Sequence, residues 1–427
     1  MIMHLLEDNI SINLGTLIAA TRQERGLTQD ELAKGICSIP YLSKLENDKI
    51  EPNQEIVSLL LQRLGFSVDQ LIQEQQQLNV DILKWYQAIL ERDDANIEAY
   101  HDQLTKSTKN IQNISLIHNF KLAKLRYFLY KQDAIAAKEL IKYFTKLKSK
   151  LTLSQSLYFY CFYGIYYCII NQHEKGIESF KEAEKISQRL RYEEPELIYF
   201  LALTYSHLYN SSVAIVYGFR ALDLLNNSSQ FLRSIDCQLI IATNLYRIGQ
   251  YEQADQYLQN TLKIAHSLKL DHVRTIAYHN LGNLYVKRGE LEKALGYYQE
   301  SLSINDPKAD SSFYTTYCIG EIYIELGQIE KAKDLIGHAM NKLSLLNPKS
   351  SLLLKLELLK LEILGNDQQI EQFLEHRSLP LFREKSDWRY LIDCYEKLAK
   401  INAKNFLYKK SSHYFQLAND TRKKIMY

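Results

Sequence analysis

The segment AYHNLGNLYVKRGELEKALGYYQESLSI, residues 277–304, carries the pattern that decides the fold of this chain. Small residues stand at Gly282 and Ala294, and Gly289 marks a turn between the two halves. Small residues allow two helices to approach closely, while large side chains such as Tyr285 fill the seam between them. The segment therefore predicts a pair of antiparallel helices that pack tightly against each other.

The same arrangement returns at nearly constant spacing along the chain. The small residues in the corresponding position are separated by 38, 40, 40 and 38 residues, and they are Gly164, Ala202, Ala242, Gly282 and Gly320. Weaker copies lie on either side, at residues 81–104, 118–147, 352–374 and 388–423. Together they make about nine helix pairs, and the unit is slightly longer than the ~34 residues of the tetratricopeptide repeat that it resembles.

A repeat of this kind predicts an all-α fold in the form of a right-handed α-solenoid. Each pair packs on its neighbours, and the array then offers an extended concave face that suits peptides or protein segments. A plain helical bundle is the alternative, but a bundle would not repeat small residues at a constant spacing. The low content of turn formers, 15 glycines and 6 prolines, also favours helix.

A second pattern precedes the array, in LTQDELAKGICSIPYLSKLEND, residues 27–48. Thr28 followed by Glu31 forms a capping box, which begins a helix. The next helix begins near Ser38 and ends near Glu46. Helices joined by a tight turn in this way are typical of a helix-turn-helix, which places its second helix in the major groove of DNA.

This stretch resembles the Xre or lambda-repressor-like helix-turn-helix, through the motifs TQxxLA at residues 28–33 and LSKLEN at residues 42–47. It departs from that family in a turn that is one residue shorter and in Asp48, where glycine is common. The helical period directs Leu42 and Leu45 inward. We call the second helix of this motif, from about Ser38 to Glu46, the reading helix, because it would act as the recognition helix in the major groove. The residues expected to contact DNA are Gln29, at a phosphate, and five outward residues of the reading helix: Ser38, Ile39, Tyr41, Ser43 and Lys44.

The charge of this region limits what one copy can do. Residues 1–75 contain 6 basic and 11 acidic side chains, so their net charge is 6 − 11 = −5. Proteins that hold DNA without regard to sequence are basic, because phosphate neutralisation dominates their affinity. We therefore expect that tight binding to DNA needs two copies of this N-terminal region on one operator. A helical module that does not bind DNA is the alternative.

These patterns divide the chain into three parts. We expect a DNA-binding domain at residues 10–72 and a helical linker at residues 73–80, which is glutamine-rich and free of glycine and proline. The repeat domain, for peptide binding and oligomerisation, follows at residues 81–427.

The combination of this head with this array resembles the quorum-sensing regulators grouped as Rgg, Rap, NprR, PlcR and PrgX, and NprR most of all. The resemblance implies a cytoplasmic transcriptional regulator whose DNA binding and homo-oligomeric state respond to a short signalling peptide in the concave groove. The alternative that it implies is a repeat domain that sequesters or dephosphorylates a response regulator. Gln87 or Gln103 would then be able to orient a water molecule, but the sequence singles out neither, and we expect no enzyme.

The groove side chains follow from the repeat frame. Asn and Gln amides can bond both the N–H and the C=O of an extended peptide. Arg247 suits a peptide carboxylate, and Glu321 suits a basic group. The inward positions of neighbouring repeats are His207, Thr243, Asn244, Tyr246, Arg247, His279, Asn280, Asn283, Tyr317 and Glu321. For each one alone, a solvated or helix-capping role is the alternative.

Other classes of site find little support. The six cysteines are scattered without a C-x-x-C pair, so we expect reduced thiols, no metal and no cofactor. A net charge of +2 gives no steering field. The most apolar run, residues 157–170, is shorter than the ~20 residues that span a bilayer, and no signal peptide is evident, so we expect a cytoplasmic protein without a membrane partner.

Overall fold

The computed structural model describes residues 14–47, 49–65, 68–107, 113–228, 230–348, 350–385 and 387–426. Every regular element in these ranges is helical, so the predicted all-α class is confirmed. The chain forms two compact units. Unit 1 comprises the chain up to Ile170 with Glu178–Glu193, and unit 2 comprises Asn171–Ile177 with Glu194–Tyr427.

Unit 1 begins with four short helices, which we call the head. They are α1 (Leu14–Glu24), α2 (Gln29–Ala33), α3 (Ile39–Glu46) and α4 (Gln54–Arg63). Ile18, Leu32, Leu42, Leu45 and Leu60 meet in a core that excludes water, so the predicted inward direction of the two α3 leucines is confirmed.

The predicted caps of the head are also present. Thr28 accepts a hydrogen bond from the backbone of Glu31, whose carboxylate in turn accepts from the backbone of Thr28. Ser38 caps α3 by accepting from the N–H of Tyr41. Gly35 between these helices has a φ of +74°, a conformation that glycine adopts without strain.

The remainder of unit 1 consists of longer helices. They are α5 (Val68–Glu91), α6 (Asp94–Ser107), α7 (Ile114–Tyr130), α8 (Ala134–Lys146), α9 (Leu153–Ile169) and α10 (His173–Leu190), and the first turn of α10 belongs to unit 2. Helix α5 runs without interruption through residues 73–80 to the buried Trp85. The proposed domain boundaries stay a prediction, and residues 10–13, 66 and 67 lie outside the described residues.

The apolar run at residues 157–170 forms most of α9, and its side chains pack inside unit 1. Among the described residues, none of the helices combines the length and the apolar character needed to cross a membrane. Cys37 and Cys168 are partly buried, and four cysteines are buried: Cys161, Cys237, Cys318 and Cys394. Burial raises the pKa of the last three to about 12, so they stay protonated.

Unit 2 contains the regular part of the array. Its helices are α11 (Pro195–His207), α12 (Ser211–Asn227), α13 (Phe231–Arg247), α14 (Tyr251–Ser267), α15 (Asp271–Lys287), α16 (Leu291–Ile304), α17 (Asp310–Glu325), α18 (Ile329–Leu346), α19 (Ser351–Leu364), α20 (Asp367–Phe373), α21 (Leu379–Glu384), α22 (Trp388–Lys404) and α23 (Tyr408–Met426). Consecutive helices pack together, and the first helices of successive pairs also contact each other, as α11 does with α13.

The small residues of the repeat frame lie where two helices touch. A Cβ atom at Gly282 would come within 3.0 Å of the Tyr298 ring, and one at Gly164 would meet the Phe180 ring in the same way. Ala202 has no exposed surface. At Gly282 and Gly164 the paired helices are therefore closer than a Cβ atom permits without a shift of the facing ring.

The pair predicted at residues 352–374 is less regular than expected. Its first helix ends at Gly365, with a φ of +68°, as the sequence indicates. The second helix does not end at Leu374. It passes into a π-helical segment, Leu374–Ser378, and continues as α21. Pro380 stands at the start of α21, and its missing N–H removes one bond of the regular α-helical ladder.

Candidate functional site

The reading helix of the head presents part of the predicted DNA surface. Ile39 is 44% exposed, and Ser38 and Lys44 are exposed as well. Tyr41 and Ser43 are half-buried, and the Tyr41 hydroxyl accepts a hydrogen bond from the backbone of Asn53 at 3.2 Å. Ile39 and Lys44 therefore project most freely, while Tyr41 also fastens α3 to the start of α4.

Gln29, which the sequence predicts at a phosphate, is half-buried and has a partner within the head. Its side-chain nitrogen donates to a Glu46 oxygen at 2.7 Å, and Glu46 is buried. A phosphate contact by this amide would have to compete with that carboxylate. The role of Gln29 at DNA stays a prediction.

The same carboxylate holds an arginine that sequence reasoning missed. Nε and Nη2 of Arg22 donate to Glu46 at 2.7 and 3.0 Å, and Nη1 donates to the carbonyl of Leu27 at 2.8 Å. The hydrogen bond to Glu46 raises the pKa of Arg22. This network joins α1, α2 and α3, so it sets the direction in which the reading helix points.

In unit 2, most of the predicted groove residues come together on the first helices of successive pairs. The Tyr246 hydroxyl interacts with Thr243 and Asn283, and the charge of Arg247 acts on it. Burial raises the pKa of Tyr314, which the sequence analysis missed, and the nearby Glu321 and Tyr246 add to that rise. A ring nitrogen of His279 lies 2.9 Å from the hydroxyl of Thr315 on α17. Tyr314 directly precedes Thr315, so the positions of α17 that face His279 were the signal that could have identified it.

Two of the predicted groove residues are buried. Asn244 has no exposed surface, and its amide donates to Ser206 Oγ and to the carbonyl of Ile240, each at 2.8 Å. Asn280 is only 9% exposed. Asn244 therefore lies in the contact between α13 and α11, and the role of both amides at a peptide stays a prediction. Asn283, half-buried, accepts from the Tyr298 hydroxyl at 2.8 Å.

Arg247 is held firmly at the end of α13. Its Nη1 donates to the carbonyl of Ser206 at 2.8 Å, and its guanidinium lies 4.4 Å from the centre of the Tyr209 ring. A cation stacked in this way loses little freedom when it binds a carboxylate. Arg247 is thus well prepared to receive a peptide carboxylate.

His207 lines a cavity of about 340 Å³ near Arg247. Its ring stacks on that of His173 at 5.0 Å with the planes parallel. Burial, with the charges of His173 and Arg247, lowers the pKa of His207 to about 4. On the far side of the cavity, Trp388 Nε1 donates to Glu174 at 3.3 Å. The histidine pair is therefore neutral at pH 7 and offers flat, uncharged surfaces.

Farther along unit 2, the site becomes aromatic and acidic. His279 lies between the rings of Tyr298 and Tyr314, at 5.3 and 5.5 Å, and burial lowers its pKa to about 4. Tyr317 is largely buried and donates to Glu321 at 2.7 Å. Partial loss of hydration raises the pKa of the Glu321 carboxylate, while the rest of its side chain is exposed to water. The groove thus changes from a basic end at Arg247 to an acidic end at Glu321.

Comparison with known families identifies the class of this protein. Residues 18–71 match the family described as Helix-turn-helix, and residues 237–306 match the family described as Tetratricopeptide repeat. Together with the fold, these matches define a helix-turn-helix protein that carries a tetratricopeptide array, as the sequence predicted.

Similarity to particular proteins extends over most of the chain. The chain is 26% identical to the transcriptional activator NprA of Geobacillus stearothermophilus, over 91% of this chain and 98% of that protein. It is also 26% identical to response regulator aspartate phosphatase E of Bacillus subtilis (strain 168), over 65% of this chain and 74% of that protein.

Solved structures of the quorum sensor NprR share the fold. The apo form from B. thuringiensis has a TM-score of 0.69 at 24% identity, and the match covers 81% of this chain and 99% of that one. NprR in complex with its cognate peptide NprX has a TM-score of 0.67, also at 24% identity, over 81% and 97% of the two chains. The predicted resemblance to the NprR and Rap regulators is confirmed.

Proposed function

We propose that this protein is a transcriptional regulator, in the cytoplasm, whose DNA binding is controlled by a short signalling peptide in the groove of unit 2. One observation carries the proposal: a single chain combines an exposed reading helix with a groove whose polar side chains are already fixed in place. The similarity to a transcriptional activator over nearly the whole chain supports the same function.

The head supports DNA binding through shape more than through charge. Ile39 and Lys44 project from α3, and the Arg22–Glu46 network fixes that helix against α1 and α2. Apolar side chains can contact thymine methyl groups, and lysine can reach guanine or phosphate. Because the head region carries a net charge of 6 − 11 = −5, a homo-oligomer with two heads on an operator would supply the missing affinity.

The groove supports peptide binding through the chemistry of its walls. Arg247 offers a held guanidinium to a carboxylate, and Glu321 offers a carboxylate to a basic group. Thr243 and Asn283 are half-buried between these two ends, with polar atoms that suit an extended backbone. A short peptide with opposite charges toward its two ends fits this arrangement.

The test uses the full chain and two selections. Operator DNA is selected from random duplexes, and peptide ligands are selected from a random linear heptapeptide library. We expect selected duplexes to bind with nanomolar affinity, Lys44→Ala to weaken that binding about tenfold, and Lys333→Ala, a charge-matched change far along the chain, to leave it unchanged. Failure to recover any duplex, or equal effects of the two substitutions, would reject the DNA-binding role.

A second role as a partner of a response regulator is supported by the similarity to aspartate phosphatase E over 65% of the chain. We propose that any such role is binding and not catalysis. Gln87 donates to Glu91 at 2.7 Å and Gln103 donates to Asp81 at 3.2 Å, so each amide already has a carboxylate partner. Phosphate release from a phosphorylated receiver domain, measured with and without the protein, should proceed at the spontaneous rate; faster release would show catalysis.

A further inference from the structure

Three carboxylates meet at the acidic end of the groove. We call Glu321 on α17, Glu362 on α19 and Asp393 on α22 the acidic cluster. Burial raises the pKa of Glu321, and the charges of Glu362 and Asp393 add to that rise. The ammonium of Lys355 lies near the rings of both Tyr390 and Tyr314, and the Tyr314 ring lies 6.1 Å from that of Tyr317, which donates a hydrogen bond to Glu321. These contacts place Glu321, Tyr314 and Tyr390 in one region of unit 2, although Glu321 and Tyr390 belong to different helix pairs.

Within the cluster and among the described residues, Glu321 alone forms no ion pair, although the charge of Lys397, the partner of Glu362, also acts on it. Glu362 pairs with Lys397, and Asp393 lies 3.6 Å from Arg389. Glu321 accepts a hydrogen bond from Tyr317 at 2.7 Å, but no lysine, arginine or histidine of the described chain is within ion-pair distance of it. Its side chain is open to water in the groove, so a charged group from outside can reach it.

Tyr390 provides an independent sign that a polar partner belongs here. Its side chain is only 6% exposed, and its hydroxyl has no hydrogen-bond partner in the described part of the chain. Burial and the neighbouring carboxylates of the acidic cluster raise its pKa, so the hydroxyl keeps its proton. Buried hydroxyl groups are normally paired, because leaving one unpaired costs free energy.

Aromatic rings beside the acidic cluster already surround one cation of the protein itself, the ammonium of Lys355. The ammonium of Lys355 lies 4.4 Å from the centre of the Tyr390 ring, 5.6 Å from that of Phe382 and 5.9 Å from that of Tyr314. Lys355 is also 3.5 Å from Asp387, which lies outside the acidic cluster. Aromatic faces and carboxylates together attract cations and repel anions.

Building on the proposed function, we propose that Glu321, the hydroxyl of Tyr390 and the ring of Tyr314 form a subsite for a cationic side chain of the bound peptide. A guanidinium has five donors in one plane, so it can pair with Glu321, bond the Tyr390 oxygen and stack on Tyr314. Tyr314 is 42% exposed. Because the Tyr390 oxygen is shielded from water, a side chain beside it has to shift before the ligand can reach it.

The experiment compares peptide selections on the full chain. A random linear heptapeptide library on phage is selected against the wild-type protein, Glu321→Gln and Glu330→Gln, the last being an exposed acid on α18 that serves as control. We expect wild type and the control to enrich arginine or lysine at one position. Glu321→Gln should lose that enrichment and keep the preferences at the other positions.

Calorimetry with synthetic versions of one selected peptide supplies the second measurement. Replacing its basic residue with citrulline or norleucine should weaken binding to wild type at least tenfold, and arginine and lysine versions show which cation the subsite prefers. Tyr390→Phe keeps the ring under Lys355 and removes the hydroxyl, so binding of the basic peptide should fall about tenfold while binding of the norleucine peptide, which has no donor at this position, is unaffected. The citrulline and norleucine comparisons use only the wild-type protein, so they do not depend on how a variant folds.

Two results would overturn this inference in different ways. If wild type selects peptides without a basic position, or if Glu321→Gln keeps that preference, the cationic subsite is wrong and the peptide receptor stands. If no peptide is enriched on any form of the protein, the proposed function fails together with its subsite.

Discussion

Replacing Glu46 with glutamine removes the charge that joins three helices of the head. In the folded head this carboxylate accepts two hydrogen bonds from Arg22 and one from Gln29. Glutamine has the same shape but only one acceptor oxygen, and its new NH₂ group faces donors. Arg22, whose side chain is only 12% exposed, would then keep its charge without a counterion.

The size of the effect follows from that burial. Breaking a buried ion pair by removing one partner typically costs about 3–5 kcal/mol. Arg22 retains its bond to the carbonyl of Leu27, and the amide oxygen of glutamine retains one acceptor, so we expect the lower end, about 3 kcal/mol. The cores of the head and of α5–α7 consist of different residues, so the loss should stay within the head.

Hydrogen exchange measures this loss helix by helix. We expect protection of the α1–α4 amides to fall about a hundredfold in Glu46→Gln, because each 1.4 kcal/mol is a factor of about ten. Glu51→Gln, an exposed change in the same head, should leave protection unchanged, and operator affinity should fall only for the first variant. A change below about 0.5 kcal/mol in the head would refute the reasoning, since that is the size expected for a surface substitution.

Further predictions concern the array. Gly282→Ala should lower the free energy of unfolding by about 2 kcal/mol in urea titrations, because its Cβ would press on the Tyr298 ring; Gly296→Ala, with open space at that position, should cost nothing or stabilise α16. The pKa of His279 is lowered to about 4 by burial, so the unfolded chain binds a proton there between pH 6.5 and 4 while the folded one does not, and stability should fall as the pH drops through that window. His279→Gln should flatten the difference in stability between pH 7 and pH 5, and an unchanged pH dependence would count against the burial of this ring.

The repeat frame was predictable because it rests on local geometry. Gly282 and Gly164 admit the aromatic ring of the second helix, and only the smallest residues satisfy that requirement. Capping by Thr28 was predictable for the same reason, since the bond runs to a residue three positions away. The π-helical segment after Phe373 was not, because it depends on how the chain accommodates Pro380 against α22.

The site was less accessible to sequence reasoning, because it depends on which side of a helix meets which neighbour. Asn244 and Asn283 are both polar residues near the small-residue position of their repeats, yet the first packs on Ser206 and the second lies half-buried beside Tyr298. Glu46 and Arg22 are 24 residues apart, and nothing local indicates that they pair. The unpaired hydroxyl of Tyr390 is likewise a property of the packed structure alone.

Control of DNA binding by the groove is the central claim, and one measurement tests it directly. Fluorescence anisotropy of a selected operator duplex, titrated with the full-length protein, is recorded with and without a saturating selected heptapeptide. The account predicts at least a tenfold change in operator affinity when the peptide is present, and loss of that response in Arg247→Gln with peptide-free DNA binding intact. Equal operator affinity with and without bound peptide would contradict the account.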